Sequence, residues 1–208
     1  MIAPVRNERG YTLAEMLVVA ATVAIVMGGL FSLLSSGQQS FVLGANRTEA
    51  QQNARLVVQR MIQEIRTAGY DPLATGTFAP VTALAVGTGF VIRNDWNGNG
   101  AIETGVTVTI DGVAHGEQIT YTFNGTTLTR QESNIDANAV TVTTAVSSVA
   151  LRYLDADDVA VVNPSCFANA SPIRTVEIDV TTNPDTTPSS NVFKAAASVT
   201  NRVRIRNR

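Results

Sequence analysis

Residues 16–34, MLVVAATVAIVMGGLFSLL, form a run of nineteen residues without a single charge. No other feature constrains the fold as strongly. As a helix rising about 1.5 Å per residue, the run reaches roughly 29 Å, close to the ~30 Å hydrocarbon thickness of a bilayer. The first ten residues, MIAPVRNERG, are polar and carry Arg6 and Arg9, and no basic residue follows the run closely. That asymmetry leaves the N-terminus in the cytoplasm and sends the rest of the chain across the membrane. An ordinary secretory signal also has a basic start, but its apolar stretch is about 7–15 residues. Here the run is longer, helical patterning continues beyond it, and Glu15 stands at its mouth, where an unpaired carboxylate is costly. The pattern reads as an anchor.

Beyond residue 34 the chain turns amphipathic. Ala54, Val57, Val58, Met61, Ile62, Ile65 and Ala68 recur at three- and four-residue spacing, with Gln59, Arg60, Gln63, Glu64 and Arg66 between them. One apolar stripe on a helix follows, the face expected to pack on the rest of the protein. Gly69 ends the pattern and Pro72 forbids its continuation. A single helix over residues 12–68 would be about 85 Å long, with Gly28, Gly29 and Gly37 as its weak points.

From residue 70 onward, short Val- and Thr-rich runs alternate with turn clusters. Strands are expected at 81–86, 89–92, 106–110, 118–123, 126–130, 140–144, 149–154, 159–162, 176–181 and 198–206. Asn124-Gly125 marks a hairpin, and 182–191 reads as a loop. The expected class is α+β: a long N-terminal helix, transmembrane in its first half, packed on an antiparallel β-rich head.

The net charge of −2 argues against a nucleic-acid binder. The single cysteine, Cys166, rules out an internal disulfide, and the single histidine, His115, rules out multi-histidine metal sites. No phosphate loop, nucleophile elbow or zinc spacing occurs, so no enzymatic activity and no certain cofactor are expected.

The string Arg9-Gly10-Tyr11-Thr12-Leu13-Ala14-Glu15-Met16 resembles the processing motif of type IV prepilins: glycine, an aromatic residue, Thr-Leu, and a glutamate five residues after the cut. Tyr11 replaces the commoner phenylalanine and Ala14 a larger aliphatic residue, and neither departure blocks the expected processing. The resemblance implies cleavage after Gly10 by prepilin peptidase, N-methylation of the new amine at Tyr11, and an assembly role for Glu15 paired with the amine of a neighbouring subunit. The implied organisation is a leader at 1–10, a transmembrane and filament-core helix at 11–36, its amphipathic continuation at 37–69, and a periplasmic or extracellular head at 70–208. The run Ile65-Arg66-Thr67-Ala68-Gly69-Tyr70 is similar to the PilW-like minor pilins and the J-type minor pseudopilins. Weaker echoes are Ile119-Thr120-Tyr121, Gly125, Leu128-Thr129-Arg130 and the C-terminal Val203-Arg204-Ile205-Arg206-Asn207.

The implied function is a minor pilin that initiates or caps a type IV pilus; the alternative is a minor pseudopilin of a type II secretion system. A membrane-anchored periplasmic enzyme or binding protein fits less well. The implied partners are the peptidase, other pilins or pseudopilins, the inner-membrane assembly platform and the membrane itself, with no direct nucleic-acid partner.

One loop of the head has ligand-bearing spacing. Asp95, Asn97 and Asn99 supply oxygens at positions 1, 3 and 5 of a calcium-type loop, and Gly100 falls at position 6. The bidentate glutamate expected at position 12 is replaced by Val106, and Glu103 at position 9 is the substitute. A plain exposed Asn-Gly hairpin turn is the favoured reading, with calcium the alternative. Asp155, Asp157 and Asp158 read as a solvated acidic turn. Arg202, Arg204, Arg206 and Arg208 alternate with apolar residues and read as a charged edge strand.

Overall fold

The computed structural model describes residues 10–74, 78–84, 89–164, 172–183 and 196–207. The leader 1–9, Cys166, Arg208 and residues 184–191 of the expected loop lie outside the described residues. One helix, α1, runs Leu13–Thr67, within a residue of the expected bounds at each end. The chain divides into two compact units, Met1–Gly44 and Ala45–Arg208.

In the first unit the helix is uncharged from Met16 through Gly44. It is the one described helix long and apolar enough to cross a membrane, and none of its most apolar window is buried. Leu17, Ile25, Phe31 and Leu33 are all exposed. A helix that is apolar around its whole circumference needs lipid or other protein about it.

The second unit begins with the amphipathic part of α1. Ala50, Ala54, Val57, Val58, Met61, Ile62 and Ile65 are buried on one stripe, as their spacing requires. The far end of α1 is tied to distant chain. The Gly69 N–H donates to the Arg93 carbonyl (2.9 Å), and the Asn207 amide donates to the Thr67 carbonyl (2.8 Å). Gly69 takes φ 79°, and a β-carbon there would lie 2.9 Å from Pro80, so the corner requires glycine.

Among the described residues ten strands follow: β1 Val81–Ala83, β2 Gly89–Arg93, β3 Thr107–Ile110, β4 Val113–Gly116, β5 Gln118–Phe123, β6 Leu128–Glu132, β7 Val140–Thr143, β8 Val146–Leu154, β9 Thr175–Thr182 and β10 Ala197–Arg204. They make a five-stranded sheet ordered β1-β2-β5-β6-β7, a three-stranded sheet ordered β10-β9-β8, and the separate hairpin β3-β4. Every pairing is antiparallel. The fold is α+β, a long N-terminal helix with antiparallel sheets packed on its second part.

One hydrophobic core joins these layers. The helical stripe meets Val81, Phe90, Ile92, Ile119, Tyr121 and Leu128 of the five-stranded sheet, and Val146, Tyr153, Val176, Ile178 and Val180 of the other. β9 alternates strictly, with every second side chain buried, the pattern of a sheet with one wet face.

Beyond shifted ends, such as β8 starting at Val146 and β10 ending at Arg204, the strands differ from expectation as follows. Residues 113–116 form β4, because Asp111-Gly112 is itself a two-residue hairpin turn that pairs Ile110 with Val113. Residues 159–162 contribute only an isolated bridge between Leu154 and Ala160, since the acidic turn before them folds the chain straight back onto the end of β8. The expected strand at 126–130 lies two residues later, at Leu128–Glu132, because the hairpin tip uses Thr126 and Thr127.

Candidate functional site

The start of α1 is a reciprocal cap. The Thr12 N–H donates to Glu15 Oε2 at 2.8 Å and the Thr12 hydroxyl to the same oxygen at 3.0 Å, while the Glu15 N–H donates to Thr12 Oγ1 at 3.3 Å. This is a capping box, Thr at the cap and Glu three residues on, and it satisfies backbone donors that a helix start otherwise leaves open. Glu15 Oε1 has no partner among the described residues. Gly10 and Tyr11 lie just outside the cap, exposed, with Tyr11 84% accessible. The Gly10–Tyr11 bond therefore sits on irregular, accessible chain, immediately before a helix with a carboxylate in its first turn.

In the head, the segment 95–103 is a built loop but not a hairpin: the strands flanking it, β2 and β3, belong to different sheets. Asp95 is fully buried. Its Oδ1 accepts the N–H groups of Gly98 (2.7 Å) and Asn99 (3.2 Å), and its Oδ2 that of Gly100 (2.7 Å). The Asn97 and Asn99 side-chain amides both donate to Glu103 Oε2, at 2.9 and 2.8 Å, and their own oxygens accept the Asn99 and Ala101 N–H groups. Glu117, 1% exposed, closes the loop from the start of the β4–β5 connection by accepting the N–H groups of Asn97 (3.3 Å) and Glu103 (2.9 Å). The four residues of the calcium-type spacing are thus brought together, with these oxygens turned to N–H donors of the loop itself. Among the described residues, no three carboxylate, thiol or imidazole groups converge as a metal set. Burial of Asp95 departs from the exposed turn expected of the spacing. Glu117 has no motif around it and was not visible in the sequence.

A second polar cluster ties α1 to the five-stranded sheet. Glu64 accepts the Tyr121 hydroxyl (2.7 Å) on one oxygen and Arg130 Nε (2.9 Å) on the other. The Arg130 guanidinium continues to Glu132 (2.6 Å) and Asp136 (3.2 Å). Burial drives the Tyr121 pKa well above its ordinary value, and the Glu64 carboxylate adds to the rise. Burial alone would lower that of Arg130, but the hydrogen bond to Glu132 and the charge of Glu64 outweigh it and raise the value. Glu64 was read only as part of the helix's polar face. Tyr121 and Arg130 stand in the Ile-Thr-Tyr and Leu-Thr-Arg runs that carried the family echo, and here they meet.

The remaining sequence candidates are local. His115 lies on β4, 3.5 Å from Glu132 and tilted against Trp96, which stacks in turn on Tyr70. Asp155 accepts the N–H groups of Asp157 and Val159 in a turn. β10 is an edge strand; Arg202 and Arg204 lie on it, and Arg206 falls beyond its end. Arg202 reaches Glu177 of β9 at 2.6 Å, with Arg152 of β8 at 3.3 Å on the other side.

No protein-family model and no curated protein sequence matches the chain. Among solved structures, the chain is similar to a type IV-like pilin from Thermus thermophilus, with 14% sequence identity over 76% of this chain and 97% of that one, and a TM-score of 0.48.

Proposed function

We propose that this chain is a pilin-type subunit, anchored in the inner membrane by the first part of α1 with its N-terminus cytoplasmic and its head periplasmic, and then carried into a filament. Within that class it acts as a minor pilin that helps initiate or cap a type IV pilus. Prepilin peptidase cuts after Gly10 and the amine of Tyr11 is methylated. The observation that carries the reading is the conjunction at one helix start: Gly10-Tyr11 on exposed chain, the Thr12–Glu15 cap, and an uncharged helix directly behind it. The cap lets a carboxylate enter the mouth of an apolar helix with one oxygen hydrogen-bonded, which lowers the cost of placing it at the lipid edge. Its other oxygen is available for the amine of a neighbouring subunit, the pairing the family resemblance implies. Other pilins and the inner-membrane assembly platform are the partners.

The same features suit a minor pseudopilin of a type II secretion system, and the Arg66-Thr67-Ala68-Gly69-Tyr70 corner is similar to both branches. The neighbouring genes separate them: a retraction ATPase favours the pilus, a secretion cluster the pseudopilus. The pairing role is tested by comparing Glu15→Gln with Glu15→Ala. Glutamine retains a side chain able to cap the helix but removes the charge. Both variants are expected to insert in the membrane and to be depleted from sheared filaments. Incorporation of the glutamine variant at the wild-type level would remove the pairing role.

A further inference from the structure

The chain contains three Asn-Gly steps, at 97–98, 99–100 and 124–125. In such a step the glycine nitrogen can attack the preceding side-chain amide, because no β-carbon hinders it. The structure treats the three differently. The Gly98 and Gly100 N–H groups each donate at 2.7 Å to the buried Asp95 carboxylate. The leaving amides of Asn97 and Asn99 are held by Glu103. A nitrogen hydrogen-bonded to a carboxylate resists losing its proton, and so is a poor nucleophile. At the β5–β6 tip the arrangement is reversed. Asn124 and Gly125 are exposed, and the Gly125 N–H has no acceptor among the described residues. The Asn124 Oδ1 accepts the Thr127 N–H at 2.9 Å and the Thr126 N–H at 3.4 Å. Those donors point at the oxygen on which negative charge develops when the amide carbon is attacked; Asn97 and Asn99 each have one such donor, at 2.9 and 2.8 Å, so what sets Asn124 apart is its unheld glycine nitrogen and leaving amide.

We infer that Asn124 is a self-modification site that deamidates ahead of the other two asparagines. The Gly125 nitrogen loses its proton and bonds to Asn124 Cγ. The Cγ–Nδ2 bond breaks, ammonia leaves, and a five-membered succinimide remains. Water then opens the ring, either at Cγ to give aspartate or at the backbone carbonyl to give isoaspartate. The net change is water consumed, ammonia released and one negative charge gained at the hairpin tip. The aspartate product keeps an oxygen for the Thr126 and Thr127 donors. Isoaspartate inserts an extra methylene into the backbone joining β5 to β6. The charge of this exposed loop therefore changes with the age of the subunit.

Arginine-specific cleavage after Arg93 and Arg130 places all three steps in one peptide, 94–130. The full chain, held folded in detergent, is incubated in mildly alkaline buffer, and fragmentation mass spectrometry follows amide-to-acid conversion at each asparagine. Asn124 is expected to convert at least about tenfold faster than Asn97 or Asn99, the factor associated with one charge-assisted hydrogen bond. In denaturant the three rates should converge. In Asp95→Asn, the rates at Asn97 and Asn99 should rise toward that of Asn124, whether the loop loses only its charge or its fold. Equal rates in the folded wild type would overturn the inference, and so would a lead for Asn124 that survives in denaturant.

Discussion

The two parts of α1 are made of the same backbone but answer to different surroundings. Before Gly44 the apolar residues circle the helix and none of them is buried: Val19, Val23 and Phe31 all face outward. After Ala45 the apolar residues fall on one stripe, and Val57, Met61 and Ile65 are buried in the core they share with the sheets. The first part carries no charge beyond Glu15, whereas the second carries Glu64, whose carboxylate is fully used by Tyr121 and Arg130. Burial in the head is therefore supplied by the chain itself. Nothing among the described residues buries the first part, and a helix apolar all round needs lipid or other protein about it. Substitutions in the two parts should accordingly be felt in different assays.

The largest effect on the head is expected from Arg130→Ala, which leaves Glu64, Glu132 and Asp136 without their shared cation. Removing one partner of a buried ion pair costs about 3–5 kcal/mol, and denaturant unfolding of the head measures it. An unfolding midpoint equal to wild type would mean that the cluster does not bind the helix to the sheet. Ile65→Ala should cost about 2–5 kcal/mol, the range for truncating a fully buried aliphatic residue. Phe31→Ala, by contrast, should leave the unfolding of the head unchanged and appear only in assembly. Equal destabilisation by the two would erase the distinction between the parts of α1.

Asp95→Ala strips three N–H groups of their acceptor. A loss of about 1–3 kcal/mol follows, since the loop glycines are half-exposed and water replaces part of the bonding. Its melting behaviour also bears on the calcium spacing. With both Asp95 oxygens and the Asn97 and Asn99 oxygens accepting N–H groups, the wild-type protein is expected to melt at the same temperature in calcium and in chelator. A rise in calcium that Asp95→Ala abolishes would establish the metal site instead.

The smallest effect lies on the outer face of the three-stranded sheet. The hydrogen bond from Arg202 holds the Glu177 carboxyl below its ordinary pKa; burial opposes this, and the charges of Arg202 and Arg152 reinforce it. A depressed carboxylate pKa contributes stability above the unfolded value and loses it as pH falls through the folded one. Melting followed from about pH 5 to pH 3 should show a shallow decline that Arg202→Gln flattens. An unchanged slope in the variant would contradict the pairing.

Local pattern made much of this legible in the sequence. The uncharged run, the three- and four-residue spacing after it and the glycine at its end placed α1 to within a residue, because each acts through neighbours along the chain. Most strands were placed for the same reason. What escaped notice depends on distant contacts. β4 stands outside the expected strands, and a β-carbon at Gly116 would collide with the Ser133 carbonyl, so glycine is what lets these chains approach. Glu117 and Glu64 look like ordinary surface acids until residues 20 and 66 positions away arrive beside them. The burial of Asp95 is likewise a tertiary fact. Spacing identified the loop's oxygens, but not the N–H groups that Asp95, Asn97 and Asn99 accept or the side-chain amides that Glu103 accepts.

The proposed function stands or falls on whether the exposed Gly10–Tyr11 bond before the capped, uncharged helix is a processing site. Mass spectrometry of the protein recovered from cells containing prepilin peptidase tests it directly. A chain beginning at Tyr11 with a methylated amine is expected, and an uncut chain when Gly10 is replaced by a bulky residue. A protein that keeps residues 1–10 in such cells, or one cut C-terminal to the apolar run as a secretory signal would be, would contradict it.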